Sequence, residues 1–89
     1  MTEREVEIVN RLGLHARAAA KLVHTAGGFQ SRVTVIRDGE EVDAKSILGI
    51  LLLAAGQGSL ITVRCEGPDE ENALRAVTTL IADRFDEES

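Results

Sequence analysis

Tryptophan and tyrosine are absent, and Phe29 and Phe85 are the only aromatics, so the core must be aliphatic. Cys65 stands alone, which excludes an intrachain disulfide and a zinc cluster built from thiolates. The longest apolar stretch, Ile47 to Ala55, is broken by Gly49 and is far too short to span a bilayer. The opening MTEREVEIV carries charge on alternate residues and offers no apolar signal core, so a reducing cytoplasm is the expected setting. Gly27-Gly28 and Gly56/Gly58 lack the Lys-Ser/Thr spacing of a P-loop, which leaves nucleotide binding unsupported. The most telling absence is acidic: no Asp or Glu occurs between Glu7 and Asp38, while Arg11, Arg17, Lys21, Arg32 and Arg37 all fall there. A net charge of −5 argues against general nucleic-acid binding, where Lys and Arg supply most of the affinity. An acidic chain thus keeps one locally cationic segment, suited to a phosphoryl group or an acidic partner face.

The 89 residues suffice for one compact domain, and 44% hydrophobic with 28% charged residues marks an ordinary globular composition. Alternation around Val6 and Ile8 predicts a strand over about Glu3 to Val9. After the turn Arg11-Leu12-Gly13-Leu14, the spacing of Ala19, Leu22, Val23 and Ala26 predicts a helix from about Ala16 to Ala26, stopped by Gly27-Gly28. Arg32 to Arg37 and Glu40 to Ala44 read as a hairpin around Asp38-Gly39. Ser46 is placed to cap a second helix running to about Ala55, and Leu60 to Cys65 reads as the last strand. Gly67-Pro68-Asp69 opens a final helix in which Asp69, Glu70 and Glu71 look like cap and dipole complement, with Ala73, Val77, Leu80 and Ile81 inward. The tail Asp86-Glu87-Glu88-Ser89 reads as solvated or disordered. The order β-α-β-β-α-β-α predicts an α+β fold, an open-faced two-layer sandwich with a four-stranded antiparallel sheet and three helices on one face.

His15 is the most informative residue. It falls between a glycine turn and a helix start, where the amides of Ala16 and Arg17 lack carbonyl partners and form a ready anion site. The positive helix end disfavours imidazolium, which keeps the ring nucleophilic. Arg17 can swing a guanidinium toward developing phosphate charge. The blander reading is a turn histidine beside a surface arginine; the acid-free basic segment weighs against it without naming a reaction. His24 falls off the apolar stripe and reads as a solvated helix residue. Cys65 reads as a small buried hydrophobe.

Asn10-Arg11-Leu12-Gly13-Leu14-His15-Ala16-Arg17 resembles the active-site signature of the HPr family, the histidine phosphocarriers of the phosphoenolpyruvate phosphotransferase system. Lys45-Ser46-Ile47-Leu48-Gly49 resembles the family's regulatory-serine segment, and Gln57-Gly58 and Glu66-Gly67-Pro68-Asp69-Glu70-Glu71 continue the likeness across essentially the whole chain. The resemblance implies that His15 takes phosphate on Nδ1 from enzyme I and hands it to IIA proteins, with Ala16 and Arg17 holding the phosphate. It implies further that Ile47, Leu48 and Leu51 form the partner face, and that Ser46 is phosphorylated by HPr kinase/phosphorylase in members under metabolic control. Neither a metal nor a cofactor is called for on this chain, and a relay shared by several partners is expected to be monomeric. Ala18 stands where the family usually has proline, which predicts a less rigid loop and a working site. Leu12 and the ending Phe85-Asp86-Glu87 lie closer to the nitrogen-related branch than to the sugar-transport branch, and the choice between them stays open.

Two rivals remain at this level. A small hydrolase on a similar sandwich would need a water activator, for which His15 without a nearby carboxylate is poor. A regulator would use phosphorylation as a switch for binding transcriptional or transport partners rather than as a transfer step.

Overall fold

The computed structural model describes all 89 residues. Four strands, β1 (Thr2–Glu7), β2 (Arg32–Arg37), β3 (Glu40–Asp43) and β4 (Leu60–Glu66), form one antiparallel sheet in the order β1-β4-β2-β3. Three helices, α1 (Ala16–Gly27), α2 (Ile47–Leu52) and α3 (Glu70–Ala82), cover one face, as the alternation of the strands requires. Val33, Val35, Ile61, Val63 and Cys65 point inward and are fully or almost fully buried, against Ala19, Leu22 and Ala26 of α1 and Ala73, Val77 and Ile81 of α3. Burial pushes the Cys65 thiol up, the behaviour of a packing residue rather than a nucleophile. Asp38 and Gly39 both adopt positive φ, 51° and 84°, the conformation a tight β2–β3 hairpin needs.

The opposite face of the sheet is open. Glu3, Glu5 and Glu7 on β1, Thr62, Arg64 and Glu66 on β4, Arg32 and Thr34 on β2, and Glu41 and Asp43 on β3 lie on it by register. Arg64 sits between Glu3 and Glu41, at 3.5 and 3.4 Å.

The structure corrects four expectations. β1 ends at Glu7, since beyond it the chain pairs only through Ile8 with Gly58 and Ser59 in the loop before β4. α2 stops at Leu52, short of Ala55, because Ala54 turns into left-handed backbone (φ 51°) and the Ala55 carbonyl accepts from Leu14 N at 2.9 Å. Asp69 occupies the N-cap position of α3 without capping it; its carboxylate accepts instead from Gln30 N, Ser31 N and Ser31 Oγ, tying the start of β2 to α3. The tail is neither wholly solvated nor disordered: Arg84–Asp86 make a 3-10 turn in which Phe85 is completely buried.

Candidate functional site

The loop from Asn10 to Leu14 is drawn down onto the end of α2. Gly13 adopts φ 67°, and a Cβ there would stand 2.6 Å from the Ala55 carbonyl oxygen and 2.8 Å from Gly56 Cα, so only glycine fits. Leu14 is buried beside it, and the chain then extends at His15 (φ −74°, ψ 178°) before entering α1. His15 therefore stands at the N-cap position of a 12-residue helix, with its carbonyl accepting from Ala19 N at 2.8 Å. Its side chain does not cap the helix. The amides of Ala16 and Arg17 lie in the first turn, where the residues four back are outside the helix and offer no helical carbonyl. His15 thus stands at the helix start where the sequence put it, and the residue is half-buried there.

The imidazole has a partner that the sequence reading missed. His15 Nε2 meets the Glu87 carboxylate, and the other Glu87 oxygen accepts from Asn10 Nδ2 at 2.9 Å. Burial works to raise the Glu87 pKa, but hydrogen bonds from His15 and Asn10, with the charges of His15 and Lys21, outweigh it and hold the carboxyl below its ordinary value. The objection that His15 lacks a nearby carboxylate is thus overturned. One Glu87 oxygen is engaged with the ring and the other with Asn10. The only sequence signal for the contact was Phe85, an apolar residue among charged ones, able to pin a tail otherwise read as solvated.

Arg17 is exposed and takes part in none of the ion pairs within the chain. With Arg11, Leu12 and Lys21 it lines an open cleft of about 330 Å³, faced by Asp86, Glu87, Glu88 and Ser89. A free guanidinium and two further cations thus share a cleft that adjoins the ring through Glu87, an arrangement that can hold a phosphoryl group and screen its charge.

Ser46 behaves as its N-cap reading requires, with Oγ accepting from Gly49 N at 3.2 Å. Ile50 and Leu53 of the same apolar run are buried, whereas Ile47, Leu48 and Leu51 are 45%, 66% and 37% exposed. Leu52 and Leu12, which were not singled out for the partner face, are also exposed. His24 is exposed on α1, and no group of three or more His, Cys, Asp or Glu side chains could hold a metal ion. No helix is long and apolar enough to cross a membrane.

The family model described as the PTS HPr component phosphorylation site matches residues 2–83. The phosphocarrier protein HPr of Cupriavidus necator is 54% identical over 87 residues, covering 98% of each chain. The phosphocarrier protein NPr of Shewanella violacea is 44% identical over 87 residues, covering 98% of this chain and 96% of its own. Among solved structures, HPr of Thermoanaerobacter tengcongensis superposes with a TM-score of 0.97 at 46% identity, each chain covered completely.

Proposed function

The chain belongs to the HPr family of phosphotransferase-system phosphocarriers, and from that premise we propose that it relays a phosphoryl group from enzyme I to IIA proteins through His15. The Nδ1 lone pair attacks phosphorus, the N–P bond forms as the bond to the donor breaks, and the same events in reverse load the acceptor. The first-turn amides of Ala16 and Arg17 receive the phosphoryl oxygens, and the Arg17 guanidinium offsets their charge. A site that stabilises the bound phosphoryl group in this way favours lasting transfer over hydrolysis. The observation that carries the reading is the position of His15 at the mouth of α1, beside an arginine with no competing ion pair. Incubation with enzyme I and labelled phosphoenolpyruvate, followed by a IIA domain, tests it. Acid-labile label should appear on the wild-type chain and move onward, and His15→Ala should take up none. Steady release of free phosphate would indicate a hydrolase, and label that stays in place would indicate a switch.

The exposed face of Ile47, Leu48 and Leu51, extended by Leu12 and Leu52, is where we place partner docking, since a contiguous apolar patch on a small domain marks a contact surface. Ser46 lies at the edge of that face. Phosphorylation there by an HPr kinase would set about two negative charges against the docking surface. Ser46→Asp is accordingly expected to slow label uptake from enzyme I by about tenfold, in the range of a like charge placed at an interface; an unchanged rate would remove Ser46 as a control point.

A further inference from the structure

Asn10 is completely buried beneath the His15 loop. Its Nδ2 donates to the Gly13 carbonyl at 2.8 Å and to Glu87 Oε1 at 2.9 Å, while its Oδ1 is buried with no partner. The unpaired oxygen carries a desolvation cost, while the amide nitrogen on the same side chain is committed to two acceptors. Glu87 turns its second oxygen to Nε2 of His15. An ionised carboxylate can only accept, so the ring nitrogen that faces it carries the proton. In the neutral imidazole the lone pair is then left on Nδ1.

The place of Glu87 is set by the turn before it. Arg84, Phe85 and Asp86 follow one another in left-handed backbone, at φ 57°, 53° and 62°. Non-glycine residues keep such angles only where packing overrides them. Here the override is visible: Phe85 is fully buried, and Lys21 Nζ donates to its carbonyl at 2.6 Å. The strained turn and the half-satisfied amide converge on one contact, the carboxylate at Nε2.

We propose that Asn10 and Glu87 are positioning residues for phosphoryl acceptance: Asn10 orients Glu87, and Glu87 holds the His15 proton on Nε2 so that Nδ1 presents the nucleophilic lone pair. The inference rests on His15 being the phosphoryl acceptor. During transfer the Nε2 proton stays where it is; Nδ1 gains the bond to phosphorus, and the donor keeps the electron pair of the bond that breaks. The ring acquires a positive charge in the same step, and the carboxylate already faces it.

The experiment records two-bond nitrogen–proton NMR correlations of the His15 ring in the unphosphorylated, nitrogen-labelled chain, together with single-turnover label uptake from phosphorylated enzyme I. In the wild-type chain the neutral ring should be protonated at Nε2. Glu87→Ala should release it to the tautomer mixture of a solvent-exposed histidine and slow uptake by about tenfold, the scale of one charge-assisted hydrogen bond lost from the reacting state. Asn10→Ala should produce a smaller change of the same kind, and should add nothing in the Glu87→Ala background if it acts through Glu87. A wild-type ring protonated at Nδ1, a Glu87→Ala chain with unaltered spectrum and rate, or additive effects of the two substitutions would each overturn the proposal. Glu87 lies outside the buried core, beyond α3, so Glu87→Ala keeps the test decisive even where Asn10→Ala fails to fold. Failure of the wild-type chain to accept label, with ring spectra as expected, would overturn the relay reading instead.

Discussion

Gly13 shows how one residue sets the position of His15. Its left-handed φ and its 2.6 Å clearance to the Ala55 carbonyl oxygen would both be violated by a methyl group, and the atoms it would strike are backbone. Gly13→Ala is expected to cost about 2–4 kcal/mol, the sum of backbone strain and a forced shift of the loop against α2. Urea denaturation measures that loss, and label uptake should fall with it, because His15 is two residues away. Asp69 makes a second case, one of pH. Hydrogen bonds from Ser31 Oγ foremost, and then from the Gln30 and Ser31 amides, outweigh burial and hold its carboxyl below the ordinary 3.8. A folded-state pKa below the unfolded value contributes stability that is present above the unfolded pKa and lost as pH falls through the folded one. The melting temperature of the wild-type chain should therefore drop on acidification below the ordinary carboxylate range. Asp69→Asn should melt lower at neutral pH and lose part of that acid slope. Thermal melts across the acid range check both.

At the scale of elements, the strands and the long helices were legible because a single face is buried and the apolar residues recur at its period. Val33 and Val35 alternate, and Ala19, Leu22 and Ala26 recur at helical spacing; all are buried. The end of α2 was not legible, since no glycine or proline stands between Leu52 and Gly56 and the stop is imposed by Leu14 N claiming the Ala55 carbonyl from another part of the chain. The same holds for the Glu87–His15 contact, made across 72 positions by a left-handed turn of residues with no preference for that backbone. His15, Arg17 and Ser46 were singled out from local spacing; the contact of Asn10 with Glu87, made across 77 positions, could not be read that way. The shortness of α2 sharpens its role: with Ile50 and Leu53 anchoring it, Leu48 is left 66% exposed. Leu48→Glu should change folding stability by no more than about 0.5 kcal/mol, as surface substitutions do. It should weaken enzyme I binding by about tenfold or more, as loss of a buried apolar anchor does. Calorimetric titration beside a thermal melt separates the two; binding as tight as the parent's would remove α2 from the docking face.

Across the whole molecule, charge is sorted by face. Fifteen carboxylates against ten Lys and Arg give the net −5, yet Arg11, Arg17 and Lys21 gather at the cleft that adjoins His15 through Glu87, while Glu3, Glu5, Glu7, Glu41, Asp43 and Glu66 share the open face of the sheet with only Arg32 and Arg64. The tail carboxylates Asp86, Glu87 and Glu88 lie against the basic residues and temper them without cancelling Arg17, which has no ion-pair partner. A molecule so divided should turn the end that holds its unpaired arginine toward an acidic donor surface before contact, and its negative sheet away from it. Such steering acts on the association rate and is screened over about 10 Å at 0.1 M salt. The association rate with phosphorylated enzyme I is therefore expected to fall by about tenfold between 0.02 and 0.5 M salt, with the dissociation rate changing much less. Charge reversal at Arg11, outside the phosphoryl contacts proposed for Ala16 and Arg17, should lower the association rate and flatten its salt dependence. The same reversal at Glu5, on the far face, should leave both close to wild type. Stopped-flow measurement of the two variants across salt concentrations decides the matter, since equal responses would mean that net charge, and not its sorting by face, governs the encounter.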